Sequence, residues 1–417
     1  MIKRVKNFFR HVGPGVITGA SDDDPAGIAI YSQAGASTGY GLLWTAPFLV
    51  PLMFFVQEMC ARIGMVTGHG LIGAMRKFYP PILLWVVAAC VFAANTVNIG
   101  ADLAAMAAAT RLILPVNLHL AAFIYSAFIV VALFLFSYRG ITNVLRWLTL
   151  SLFSYILATF ATYQDWGSIL KNTIIPSLEF NRETLVLMVA ILGTTISPYL
   201  FFWQASEESE ERISEHKETK GKFQIVSKGE FREMRHDVFS GMFFSNLVMF
   251  FIMATAASTL FRAGIYEIST AQQAAGALRP IAGSATFLLF TLGIVGTGLL
   301  AIPVLAGSAA YAVSEVLGFR EGFTTKFSRS KVFHFVILLS TLIGLAFTLF
   351  DIPPFRALFI TGVIYGILSP ALVLIILRLA NRRDVMGVQV NGRLSNFFGV
   401  LTFVILSVAV IGAMIVR

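Results

Sequence analysis

The sequence predicts an all-α integral membrane protein, built as two inverted repeats of five spans with one further span at the C-terminus. Three observations predict it. The 417 residues are 57% hydrophobic and only 13% charged, about half the charged share of a soluble domain. The apolar residues fall into eleven stretches long enough to cross a hydrocarbon core, which takes about 20 residues per helix. Two of those stretches, five apart, are interrupted near their middles by proline and polar residues. An odd offset gives the two halves opposite orientation. Paired broken helices in inverted repeats point to a substrate site at the bilayer midplane.

In chain order, residues 1–13 form a basic cytoplasmic tail. The first repeat, 14–163, holds spans 1–5 near 14–36, 42–65, 81–111, 117–137 and 143–163. An extracellular loop, 164–183, leads to the second repeat, 184–380. Its spans 6–10 lie near 184–207, 237–262, 282–315, 331–350 and 357–380, with a charged cytoplasmic loop at 208–236. Residues 381–417 supply a loop and span 11, near 396–417. The third and eighth stretches exceed 30 residues and are expected to tilt or extend beyond the bilayer. With the N-terminus in the cytoplasm, the inside segments hold 23 of the 31 Lys and Arg residues. The positive-inside rule therefore places the N-terminus inside and the C-terminus outside a cell membrane.

Other classes fit less well. Cys60 and Cys90 lie in apolar stretches and suggest neither a disulfide framework nor a thiolate metal site. The net charge of +9 is spread over short inter-span segments, which argues for topology and against nucleic acid. No small-residue cleavage site follows the first span, so no cleavable signal peptide is expected. No Ser/His/Asp set, His-Glu-x-x-His or phosphate loop marks an enzyme. The lipid bilayer is the expected partner, and neither an obligate protein partner nor a resident cofactor is expected.

The break in span 1 is Asp22-Asp23-Asp24-Pro25-Ala26-Gly27. Each carboxylate in a span costs about 2.5–3.5 kcal/mol on lenient insertion scales, so three together must face water, protein or a bound cation. Pro25 disturbs the helix before it, and Gly15, Gly19 and Gly27 loosen the segment. Carbonyls freed by unwinding can serve as cation ligands. Span 6 breaks at Thr194-Thr195-Ile196-Ser197-Pro198. In span 3, Asn95, Asn98 and Asp102 share one helical face among small residues. None of the six His residues lies in a break, and neither break contains Met.

Several motifs together resemble the natural resistance-associated macrophage protein (NRAMP) family of divalent-metal transporters. They are Gly13-Pro14-Gly15, Asp24-Pro25-Ala26-Gly27, Gln33-Ala34-Gly35, Gly39-Tyr40-Gly41-Leu42-Leu43-Trp44 and Val66-Thr67-Gly68. The likeness continues more loosely through Ala101-Asp102-Leu103, the span-6 break and Met386-Gly387. It implies the LeuT-like fold of the amino-acid/polyamine/organocation transporters. It also implies a metal site of Asp24, Gly27, Thr194, Ser197 and Tyr199, with Asp23 close behind. Asp24 stands at the family's metal-binding Asp, and Gly27 replaces its Asn ligand. Thr194 stands at the Ala whose carbonyl binds metal, Ser197 at the Met ligand and Tyr199 at the His. Gln204 stands at a second His and Asn98 at a Glu implicated in proton movement, while Asp102 is retained. Asn98, Asp102 and Gln204 are thus the implied ion or proton path. Gly362 aligns with a Gln of span 10.

These departures share one direction. Losing the thioether leaves an all-oxygen site suited to hard cations. Losing two side chains enlarges the cavity around an ion that sheds water reluctantly. The pattern is similar to the NRAMP-related magnesium transporter branch. Mg²⁺ is then the expected transported substrate, with Mn²⁺ secondary, carried partly hydrated by alternating access. The membrane potential supplies about 2.3 kcal/mol per charge per 100 mV, so roughly 4.6 for a divalent ion, and proton coupling is not required. The nearest alternative is a proton-coupled Mn²⁺/Fe²⁺ importer. Further off are a sodium-coupled amino-acid symporter of the same fold, whose substrate carboxylate an Asp triplet would repel, and a cation channel.

Overall fold

The computed structural model describes residues 13–135, 153–162, 164–177, 180–216, 226–323, 325, 327–350 and 352–416, and all regular structure among them is helical. Nine helices among the described residues are long and apolar enough to cross a membrane. They are Thr45–Thr67 (span 2), Pro81–Thr110 (span 3), Leu118–Leu135 (span 4), Arg182–Ile213 (span 6), Lys228–Phe261 (span 7), Thr286–Leu317 (span 8), Lys331–Phe350 (span 9), Pro354–Ala380 (span 10) and Arg393–Ile415 (span 11). Span 1 is divided into half-helices Pro14–Asp22 and Pro25–Thr38. Of the fifth expected span, 143–163, residues 143–152 lie outside the described residues. A helix, Phe153–Ala161, follows them.

Two of the expected inter-span segments carry helix. Of the cytoplasmic loop expected at 208–236, residues 208–216 continue the second half of span 6, Pro198–His216, residues 217–225 lie outside the described residues, and span 7 begins at Lys228. Glu and Arg are good helix formers, so the charged run does not end the helix. The run is also anchored: the Tyr311 hydroxyl of span 8 lies 2.8 Å from a Glu207 carboxylate oxygen and 2.5 Å from one of Glu210. Ser227 and Glu230 form a reciprocal capping box that starts span 7. The loop expected at 164–183 contains a helix, Trp166–Ile174, capped by the Asp165 side chain, which accepts from the Ser168 amide.

Both breaks follow the same rule. Proline disfavours helical backbone in the residue before it. Asp24 (φ −68°, ψ 173°) is accordingly extended, and Pro25 takes the first position of the new half-helix. In span 6 the first half-helix, Arg182–Thr195, ends at Ile196 (φ −104°, ψ 61°), and Pro198 opens the second.

The repeats pack reciprocally. The first half of span 1 lies on span 7, and the second half of span 6 lies on span 2. Spans 3 and 8 pack against each other. The glycines expected to loosen span 1 instead hold it tightly. A Cβ on Gly19 would stand 2.3 Å from the Gly241 carbonyl oxygen, and one on Gly15 would stand 2.6 Å from the Val238 backbone. Without side chains the two backbones touch, as small residues permit between membrane helices. Asp237 of span 7 then accepts from the Gly13 and Gly15 amides at 3.0 and 2.6 Å. It thereby satisfies free donors at the start of the half-helix.

Candidate cation site

The two breaks face each other across the interior and are tied by two hydroxyls. The Tyr199 hydroxyl, from the second half of span 6, donates to the Ser21 carbonyl at 2.9 Å. The Tyr31 hydroxyl, from the second half of span 1, lies 2.9 Å from Thr195 Oγ1. Each tie joins one repeat to the other, and the Tyr199 hydroxyl also occupies a backbone carbonyl at the end of a half-helix, which would otherwise be bare in a dry interior.

Asp24 lies at the centre and is buried. It caps the second half-helix of span 1, accepting from the Gly27 amide at 2.7 Å. A carboxylate is favourable there because the half-helix presents free N–H groups. Its other oxygen accepts from Asn98 Nδ2 at 3.1 Å. Each oxygen still has lone-pair capacity. Gly27 contributes its amide to Asp24. A Cβ at this position would meet the Asp22 carbonyl oxygen at 3.1 Å and the Tyr31 ring at 3.2 Å, a tight but not closed space.

The span-6 residues are turned partly onto their own helix end. The Ser197 hydroxyl lies 2.5 Å from the Thr194 carbonyl oxygen and 2.8 Å from that of Gly193. Span 10 reaches the same break, where the Ser369 hydroxyl lies 2.8 Å from the Ile196 carbonyl and 2.7 Å from that of Tyr365 in its own helix. Asp23 is the C-cap of the first half-helix of span 1 and lies 3.5 Å from Ser245 Oγ of span 7.

The polar face of span 3 divides. Asn95 is consumed in helix packing: it donates to the Leu305 carbonyl and accepts from Tyr365, at 2.9 and 3.0 Å. Asn98 meets Asp24. Asp102 is fully buried, and neither of its oxygens has a hydrogen-bond partner among the described residues. Asn98 Oδ1 and Asp22 Oδ1 are likewise without partners. Gln204 lies away from this centre, accepting from Thr18 at 2.5 Å and donating to Glu208 at 3.0 Å. It links the first half of span 1 to the second half of span 6. Gly362 faces Ile30, where a Cβ would come within 2.4 Å of the Ile30 side chain.

No ion pair reaches Asp22, Asp23, Asp24 or Asp102 among the described residues. No group of three or more His, Cys, Asp or Glu side chains among them is arranged to hold a metal by itself. The donor set is therefore carboxylate, hydroxyl, amide and carbonyl oxygen, with a surplus of buried acceptors and no protein cation to meet it. Buried acceptors without partners cost free energy unless a cation, a proton or water meets them.

Sequence reasoning placed Thr195 in the span-6 break without a role of its own, and missed Tyr31 and Ser245. Tyr31 was within reach, since it lies one turn beyond Gly27 on the same half-helix. Ser245 is one of several hydroxyls in span 7, with Ser240 and Thr255, and carries no local signal that sets it apart.

The family profile described as "Natural resistance-associated macrophage protein-like" matches residues 15–416. The chain is 25% identical over 404 residues to the divalent metal cation transporter MntH of Pectobacterium carotovorum, covering 94% of this chain and 91% of that one. The manganese transporter of Eremococcus coleocola superposes with a TM-score of 0.75 at 18% identity, covering 98% of this chain and 86% of the other. Inward-facing Mhp1 superposes with a TM-score of 0.53 at 16% identity, over 97% of this chain and 90% of its own. These structural likenesses give the fold, a LeuT-like arrangement.

Proposed function

This chain belongs to the natural resistance-associated macrophage protein family, and within that family we propose that it is a divalent-cation transporter that imports Mg²⁺, with Mn²⁺ as a secondary substrate. The observation that carries the reading is the donor set at the facing breaks. Asp24 meets the Gly27 amide and the Asn98 side chain, Ser197 stands where a thioether would favour softer metals, and no protein cation among the described residues balances the carboxylates. Mg²⁺ is commonly held by one or two carboxylates with retained water. A site without a ready three-ligand cage suits that mode. The relatives named as divalent metal and manganese transporters support the divalent class.

In this reading the ion is approached by Asp24 while the ties Tyr199–Ser21 and Tyr31–Thr195 hold the two breaks together. Access alternates as the half-helices of spans 1 and 6 part on one face and close on the other. The cytoplasmic side is held by Thr18–Gln204. On the opposite side, the Gln33 side chain donates to the Tyr266 carbonyl and accepts from the Ile268 amide, at 2.9 and 2.8 Å. The ion's own charge in the membrane potential drives import, and the cell membrane, with the N-terminus inside, is the expected setting. Uptake into liposomes with a Mg²⁺-sensitive dye and a potassium diffusion potential tests this. Mg²⁺ should enter, compete with Mn²⁺ and leave lumenal pH unchanged. Failure of Mg²⁺ to enter or to compete sinks the magnesium assignment, and coupled acidification sinks uniport.

A further inference from the structure

We propose that the span-1 break holds a second divalent-cation subsite, formed by Asp22, Asp23 and the Ser245 hydroxyl of span 7, beside the site at Asp24. This rests on the reading of the molecule as a divalent-cation transporter. The two sets of groups face different helices. Asp24 turns toward the Gly27 amide and Asn98 of span 3. Asp22 and Asp23 both reach Ser245 of span 7, at 2.6 and 3.5 Å.

Proton counting shows what is missing. A serine hydroxyl has one proton to donate. The shorter contact assigns it to Asp22 Oδ2. Ser245 Oγ then presents only lone pairs toward Asp23 Oδ1, an acceptor facing an acceptor. Asp22 Oδ1, the far oxygen, lies in a side chain with no solvent exposure and has no hydrogen-bond partner among the described residues. Asp22 Oδ1, Asp23 Oδ1 and Ser245 Oγ, two carboxylate oxygens and one hydroxyl on residues in mutual contact, therefore lack a donor among the described residues. A cation supplies what each of them needs.

The charge balance points the same way. Asp22 ends a half-helix and Asp23 is its C-cap, so both carboxylates lie at the negative end of the helix dipole, the unfavourable end for an anion. With Asp24 and Asp102 they make four buried carboxylates, and no ion pair reaches any of them among the described residues. One divalent ion at Asp24 neutralises half of that charge. Two carboxylates, a hydroxyl and retained water form an oxygen donor set of the kind Mg²⁺ and Mn²⁺ accept.

Equilibrium dialysis of the purified full-length protein against Mn²⁺, with the bound metal counted by atomic emission, tests the subsite. The wild type should hold about two Mn²⁺ per chain, and Ser245→Ala and Asp22→Asn about one each. Asp24→Asn should also hold about one, and Asp22→Asn/Asp24→Asn close to none. A wild type holding about one Mn²⁺, with no change on Ser245→Ala or Asp22→Asn, overturns the proposal. If that protein still imports Mg²⁺ or Mn²⁺, the transport reading stands and only the second subsite falls. If the wild type neither binds nor imports either ion, the transport reading fails. Should Asp22→Asn not fold, Ser245→Ala decides, since it removes one hydroxyl and no charge.

Discussion

Replacing Asp24 by Asn changes one charge and almost no volume. The break should survive, because Asn caps helices as well as Asp and its Oδ1 can still accept from the Gly27 amide. On the other side the new NH₂ would face Asn98 Nδ2, donor against donor at the present 3.1 Å. The Asn98 amide can turn over and present its oxygen, which has no partner among the described residues. The packing cost is therefore small, and the loss reports the charge. At about 4 Å, with one water between, a unit charge and a divalent ion attract by roughly 8 kcal/mol at an effective dielectric constant of 20. If dehydration offsets three-quarters of this, about 2 kcal/mol remains, a loss of roughly thirtyfold in affinity. Initial uptake of Mg²⁺ and Mn²⁺ into proteoliposomes, at matched protein density and across a concentration series, measures it. Both ions should show the loss in half-saturation or vanish from the measurable range. Uptake of both within about threefold of wild type, with thermal stability unchanged, would refute the assignment of the ion to Asp24.

Other expectations follow from single contacts. Tyr199→Phe leaves the buried Ser21 carbonyl without its donor, at a cost of about 1–3 kcal/mol. Thermal stability and uptake should fall together for Mg²⁺ and Mn²⁺, with no change in their ratio. Gly19→Leu drives a side chain into the Gly241 carbonyl and should abolish folded, monodisperse protein in size-exclusion chromatography, whereas Gly264→Ala, with open space around it but a φ of +75°, should lose only about 1 kcal/mol. Gln204→Leu removes the acceptor of Thr18 and the donor to buried Glu208. It should raise the rate at which a cysteine introduced at Ala20 reacts with a thiol reagent from the cytoplasmic side. Ser197→Met introduces a thioether at the span-6 break and should shift competition in favour of Cd²⁺ over Mg²⁺ by about tenfold or more.

The breaks were readable because their cause is local. Pro25 and Pro198 restrict the residue before them, and a carboxylate triplet in an apolar run demands an interior partner. The long helices were readable from length and apolarity. What the glycines do was not. Gly15 and Gly19 permit either a loose backbone or a close one, and only Gly241, more than two hundred residues away, decides between them. The charged run after Gln204 looked like a loop because charge signals water. It is held as helix by Tyr311, a partner that no periodicity within the run discloses. Asn95 and Asn98 have the same chemistry and lie one turn apart, yet one serves packing and the other touches Asp24. Their difference is set by which neighbouring helix each one meets.

The contact between Gly19 and Gly241 has a mechanical consequence. Two backbones in direct contact have no side-chain layer to shear, so the short half-helix cannot tilt independently of the long one. The long one, Lys228–Ala256, has 29 residues and is about 43 Å in length. It acts as a lever arm. Force applied at its Lys228 end is delivered undamped to the first half of span 1, and a swing of that half-helix is magnified at the far end of the arm. A bulky molecule wedged beside Lys228–Ala256 would therefore jam the short segment without touching the ion's path.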